Sequence, residues 1–348
     1  MSINNDCTLS PDYITREPID SMYYYAKNNI PDYVNISSYP NSLRYNPYTN
    51  SVTNFSHAFE NCKKINDSYI NIYSRFNWNS CTDISSCFNG MIKLHGNVNY
   101  VPEGNINMAS AFRYTNVGPY VCIPLQASNL SNTYAYTYNA KYIILSSTGY
   151  YELPNDCDIT SIFRFGSLEI DIGKCRFYNI TNFAYAFQGT NIYGRTHGIS
   201  TYATNMAGAF SNTNITSSDS LVPSMIVDFS SAYENCKKFT SMHTFENRNY
   251  LRQMYSSYRN CVNAKGTVPN IPVNVIDVSY CFENCKSLSS SNIYIYSNRI
   301  TSVRNFTYGC TNVMNIYVHA NTTTYNSFYE AMGGTYNADW GPAYLKTF

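Results

Sequence analysis

Charge is scarce in this chain. Asp, Glu, Lys and Arg make up 13% of its 348 residues, about half the share usual in globular proteins. Twenty-three basic and 22 acidic side chains leave a formal net charge of +1. That balance offers no basic footprint for nucleic acid, no acidic tail and no polybasic membrane anchor. No window approaches about 18 consecutive apolar residues, so no transmembrane helix and no membrane insertion are expected. The opening residues, MSINNDCTLSPDYITREPID, hold no basic stretch followed by an apolar run, so a secretory signal is not expected either. A nucleophile elbow, a Walker loop, a dinucleotide fingerprint and HExxH are all missing.

What is present is 44% hydrophobic content, enough for a substantial core, with 36 tyrosines and 46 asparagines. Solubility therefore rests on neutral polar groups. Such a composition also suits an AT-rich coding sequence, as in many phages and low-GC bacteria.

One short pattern recurs along most of the chain. NFSHAFENCKKI (54–65), DISSCFNGMIKL (83–94), DFSSAYENCKKF (228–239) and DVSYCFENCKSL (277–288) are its clearest copies. With weaker ones there are about twelve, whose first apolar residues stand at 55, 84, 108, 130, 159, 183, 206, 229, 254, 278, 303 and 324. The period, roughly 24 residues, is in the leucine-rich-repeat range. Counted from that first residue, apolar or small side chains fall at offsets 0, 3, 4 and 7, as in Phe55, Ala58, Phe59 and Cys62, which predicts one face of a short helix. The residue before it is Asn, Asp, Ser or Thr in every copy except at Gln253, which predicts a repeated helix N-cap.

Between these segments lie YINIY (69–73), YIILS (142–146), LEIDI (168–172), NIYIY (292–296) and NIYVH (315–319), whose alternation predicts strands. Ile70, Ile72, Ile293 and Ile295 are expected to face inward. The fold expected is an α/β repeat solenoid with one short parallel strand and one short helix or turn per repeat, stacked so that neighbours bury each other's apolar faces.

Cys62, Cys236, Cys261, Cys285 and Cys310 stand at offset 7, and Cys87 and Cys281 at offset 3, where a buried thiol fits between coils. Cys281 and Cys285 have no companion pair at zinc spacing, so no metal site is expected. Cys7, Cys122, Cys157 and Cys175 fall outside these slots.

The recurring string in HAFENCKKI, SAYENCKKF and YCFENCKSL resembles the BspA-like leucine-rich repeat over about residues 52–334. The chain departs from that pattern where Thr or Gly replaces Cys in the copies starting at 108, 159, 183 and 206. The resemblance implies a curved solenoid with a parallel sheet that binds proteins or glycans at cell surfaces, with no enzymatic activity and no cofactor.

Residues 1–50 carry no clear repeat and read as an N-terminal cap or attachment segment, 51–334 as the leucine-rich-repeat solenoid, and 335–348 as a C-terminal cap. The candidate binding face consists of outward strand positions: Tyr69, Tyr73, Tyr142, His243, Phe245, Tyr294, Tyr296, Tyr317 and His319. These rings suit either partner recognition or cross-strand ladders, and the two are compatible. Glu169 and Asp171 would share a strand face, but a lone pair does not make a hydrolytic cleft. The function expected is a non-enzymatic binding or structural module, a phage virion protein of the tail or head fibre that contacts a host cell-surface protein or glycan and other virion proteins. The alternative is a bacterial BspA-like adhesin or interaction scaffold, at the cell surface or in the cytoplasm. A homo-oligomer is compatible with either.

Overall fold

The computed structural model describes residues 53–348 apart from 64–65, 67, 74–77, 146–148, 178, 200, 290–291, 314 and 341–342. The segment 1–50, expected as a cap or attachment, lies outside the described residues. The chain divides into two compact units. One reaches Ile170 and includes Lys174–Arg176; the other comprises Asp171–Gly173 and Phe177–Phe348. Each is a parallel β-solenoid with little helix.

The repeated segment is not a helix, and its hydrogen bonds explain why. In the coil that starts at Phe55, the N–H groups of Phe55, His57, Phe59 and Asn61 donate to Asp83, Ser85, Cys87 and Asn89 carbonyls of the next coil, at 2.7–2.9 Å. The N–H groups of Ala58, Glu60 and Cys62 instead return to the Phe55, His57 and Phe59 carbonyls of their own coil, at 3.1 Å. The segment is thus two successive four-residue turns, each with its third residue at positive φ: 57° at His57 and 60° at Asn61. The same pair of left-handed positions recurs from Ser86 and Gly90 to Asn305 and Gly309. An isolated helix of two turns would leave most of its N–H and C=O groups orphaned, whereas stacked turns pair them with the neighbouring coil.

The column expected to cap helices caps these turns. Asn54 Oδ1 accepts the Ser56 N–H at 2.7 Å, and Asp83, Asn107, Asn129 and Asp158 do the same for the N–H two residues on. In the second unit Asn182, Asn205, Asp228 and Asp277 repeat the bond. This N–H is the one that reaches neither its own coil's carbonyls nor the neighbour's, so the carboxamide or carboxylate completes the pairing. The cap residues themselves bridge in parallel, Asn54–Asp83–Asn107–Asn129–Asp158 in one unit and Asn182–Asn205–Asp228–Gln253–Asp277–Ser302 in the other.

Offset 4 builds the core. Phe59, Phe88, Phe112, Tyr134 and Phe163 stack at centroid spacings of 5.3–5.6 Å in the first unit. Phe187, Phe210, Tyr233, Tyr258 and Phe282 stack at 5.5–5.9 Å in the second. Full burial of a side chain of this size contributes about 1.5–3 kcal/mol, and offset-stacked rings add to that.

The first unit carries helix α1 (Tyr69–Tyr73), a parallel sheet of β1 (His95–Val98), β2 (Asn116–Val121) and β3 (Tyr142–Ile143), and the parallel pair β4 (Tyr151–Glu152) and β5 (Cys175–Arg176). YINIY was expected as a strand with Ile70 inward and Tyr69 outward. As one helical turn it places Tyr69 and Ile72 in the core and leaves Ile70 exposed. The Tyr69 ring packs edge-on to Phe88 and Phe112 at 5.7 and 5.2 Å, and its hydroxyl donates to the Tyr100 carbonyl at 2.7 Å. LEIDI is not a continuous strand either: Asp171 makes a single bridge to Tyr193 and a short 3-10 turn follows at Ile172–Lys174.

The second unit carries the parallel pair β6 (Tyr193–Thr196) and β7 (Asn214–Ser218). Farther on come β8 (Asn292–Tyr294), β9 (Asn315–Val318), helix α2 (Thr323–Met332), β10 (Tyr336–Asn337) and β11 (Ala343–Thr347), with sheet order β10-β11-β9-β8. Here the segment expected as a further repeat copy, 323–334, is an α-helix. Thr322 Oγ1 accepts the Tyr325 N–H at 3.1 Å, and Gly333 ends the helix at φ 69°. Phe328 of α2 meets Phe306 at 5.5 Å and Trp340 at 6.1 Å, covering the last coil.

Candidate functional site

Three of the nine expected surface residues fall in the first unit and six in the second. Tyr69 is buried, for the reason given above. Tyr73 is half-buried and stacks on Trp78 at 5.4 Å. Tyr142 is exposed on β3, 5.3 Å from its cross-strand partner Tyr120.

His243 and Phe245 also prove to be core residues, at 4% and 2% exposure. The alternation around them runs in the opposite phase: Thr244 points out, while the imidazole packs among Phe229, Tyr233, Phe239 and Tyr258. His243 Nδ1 and the Tyr258 hydroxyl are hydrogen-bonded at 2.7 Å. Burial lowers the imidazole pKa to about 3, with the Asp219 charge opposing weakly, so the ring is neutral at ordinary pH. Behind it a cavity of about 30 Å³, bordered by Thr196, Ser218 and Tyr233, has room for one water.

The remaining four residues come together. Parallel registration sets Tyr294 opposite Tyr317 and Tyr317 opposite Lys346, with Asn292, Asn315 and Tyr344 forming the row beside them. Tyr294 and Tyr317 stack at 4.8 Å. Phe348 lies 6.2 Å from Tyr294, 5.9 Å from Tyr296 and 4.2 Å from His319. Asn315 Nδ2 donates to Asn292 Oδ1 at 2.7 Å, and Lys346 Nζ sits 5.4 Å from the Tyr344 ring centre. The outward face of β8, β9 and β11 is therefore a lattice of aromatic rings, amides and one cation. Tyr344, Lys346 and Phe348 escaped the sequence reading, although AYLKTF (343–348) alternates as a strand does.

Tyr296 also borders a groove of about 760 Å³ in the same unit, with Glu246, Asn247, Lys265, Thr267 and Asn270 among its lining residues. The groove opens where the coil ladder is interrupted. The Lys265 N–H donates to the Thr240 carbonyl at 3.2 Å, and Asn274 Nδ2 donates to the Asn249 carbonyl at 2.8 Å. Between these anchors no backbone hydrogen bond joins 241–248 to 266–273. The facing backbone groups and the neutral side chains can both donate and accept hydrogen bonds.

Among the described residues no group of three or more His, Cys, Asp or Glu is placed to hold a metal ion, and no helix is long and apolar enough to cross a membrane. Asp171 Oδ1 accepts the Gly173 N–H at 3.0 Å and so serves a turn. Comparison of the chain with protein-family models, with curated proteins and with solved structures gave no match.

Proposed function

We propose that this chain is a non-enzymatic binding module of the leucine-rich-repeat type, with about twelve repeats similar to the BspA-like ones, that meets a cell-surface glycan or protein as part of a phage tail or head fibre. The observation that carries this reading is the outward face of β8, β9 and β11. Aromatic rings there bring large contact area with few rotatable bonds, and their hydroxyls and the neighbouring amides supply hydrogen bonds, the combination that binding surfaces use. The Tyr- and Asn-rich composition suits a phage and a low-GC bacterium alike, and the likeness of HAFENCKKI to repeats of bacterial surface proteins favours a bacterial adhesin or scaffold as the second reading.

Mass spectrometry of purified particles tests the virion assignment: the chain is expected among the structural proteins, and its absence overturns that assignment in favour of the bacterial one. The binding role is tested with the whole chain on intact host cells. Replacing Tyr294 and Tyr317 together by Ala is expected to weaken adsorption by about tenfold or more. Unchanged adsorption with an intact fold removes this face from recognition.

A further inference from the structure

We infer that the groove beside Tyr296 is a site for a neutral oligosaccharide, an inference that rests on the binding-module reading and adds to it a place and a ligand class. Its volume of about 760 Å³ falls within the range of small-molecule sites. The side chains that line it carry one acid, Glu246, and two bases, Lys265 and the buried His243, of which the imidazole is neutral. Formal charge in the groove thus cancels, which gives neither an anion nor a cation an advantage. Asn247, Asn249 and Asn270 offer amide donors and acceptors, and Thr244 and Thr267 offer hydroxyls. Such a set matches the hydroxyls of a sugar, each of which donates and accepts.

The backbone adds to this match. The coils part between the Lys265–Thr240 and Asn274–Asn249 bonds, and no backbone hydrogen bond crosses between them there. Closure at both ends argues for a compact ligand. An extended peptide added as a strand would run on past those anchors, where the coils are joined directly and leave no space for it. Tyr296 supplies the apolar platform. Its side chain is exposed and lines the groove, where its ring can meet the C–H side of a sugar ring.

The test uses the full chain with three probe sets: neutral oligomers of glucose, galactose and N-acetylglucosamine, uronic-acid oligomers, and extended peptides, read by saturation-transfer NMR and calorimetry. A neutral oligomer is expected to bind, Tyr296→Ala to weaken it by about tenfold, and Thr267→Trp to abolish binding by filling the groove. Thermal melting of each variant checks that the fold persists, and Asn270→Ala gives a milder second probe at the same wall. Preference for uronic acids or peptides overturns the inference, as does neutral-sugar binding indifferent to all three variants. If no oligomer binds but host cells still bind through Tyr294 and Tyr317, the binding-module reading stands and the groove assignment falls; if cells do not bind either, both fall.

Discussion

At offset 7 of the repeat one backbone carbonyl is served by two different side chains. Cys236, Cys261, Cys285 and Cys310 each donate Sγ–H to the offset-4 carbonyl of the preceding coil, at 3.0–3.1 Å. Thr115, Thr190 and Thr213 donate Oγ1–H to the offset-4 carbonyl of their own coil at 2.7 Å. Both are short side chains that donate to a buried offset-4 carbonyl, of their own coil or the one before, so either fits the slot between coils. Burial pushes the Cys236 thiol up to about 11 and Cys310 to about 12, so these groups are structural and not reactive. His243 is the residue whose role the sequence hid, because a lone histidine between Met242 and Thr244 looks the same facing in or out. Its folded pKa of about 3 lies below the unfolded value of about 6.5. Between those values the unfolded chain binds a proton that the folded chain does not. Stability from this group is therefore intact above about pH 6.5 and falls as pH drops towards 3, by up to about 1.4 kcal/mol per pH unit. His243→Gln, which keeps a partner for the Tyr258 hydroxyl, is expected to flatten the fall of urea-unfolding stability between pH 6.5 and 4 relative to wild type. Equal slopes for the two proteins would show that the imidazole is not buried in its neutral form.

At the scale of the element, burial was legible and conformation was not. Offsets 0, 3, 4 and 7 are buried as the apolar spacing predicted, yet a helical face and two stacked four-residue turns bury the same offsets. The distinguishing signal was the column at offset 6, where Asn61, Asn212, Asn235, Asn260 and Asn284 alternate with glycines at positive φ. Asn and Gly are the residues that tolerate the left-handed region best. Tyr114, Tyr136 and Phe165 occupy the same column in the first unit, with ring centres 4.7 and 5.5 Å apart, and that obscured the pattern. In the second unit the amides form a ladder of their own: Asn235 donates to Asn212, Asn260 to Asn235 and Asn284 to Asn260, at 2.7–3.0 Å. The ladder stops at Gly309, φ 73°, where a Cβ would lie 2.5 Å from Asn284 Oδ1. Gly309→Ala is therefore expected to cost about 1–3 kcal/mol from backbone strain and displacement of that amide. Gly198→Ala, at φ 64° with open space around it, carries the strain alone and should cost less. Chemical denaturation of the two variants measures the difference, and equal losses would refute a steric part played by the ladder.

For the molecule as a whole, the solenoid was legible because recurrence survives variation in any one copy. The groove was not legible, because it arises from hydrogen bonds that two coils fail to make, and no residue type announces that. Coils that touch only their neighbours make stability a chain of local interfaces, so a terminal coil needs a cover. In the second unit that cover is α2 with Trp340, whose carbonyl accepts the Thr307 hydroxyl at 2.9 Å while its ring packs on Phe328. β11, just beyond it, completes the β8–β9–β11 face, so the proposed binding surface and the end cover share one short stretch of chain. Trp340→Ala is expected to destabilise the second unit by about 3–5 kcal/mol. Loss of protection should begin at that end: amides of 303–318 should exchange before those of 206–236, and adsorption through Tyr294 and Tyr317 should weaken although neither is altered. Uniform loss of protection across the second unit would mean that its coils unfold as one block, and would set aside the nearest-neighbour account of its stability.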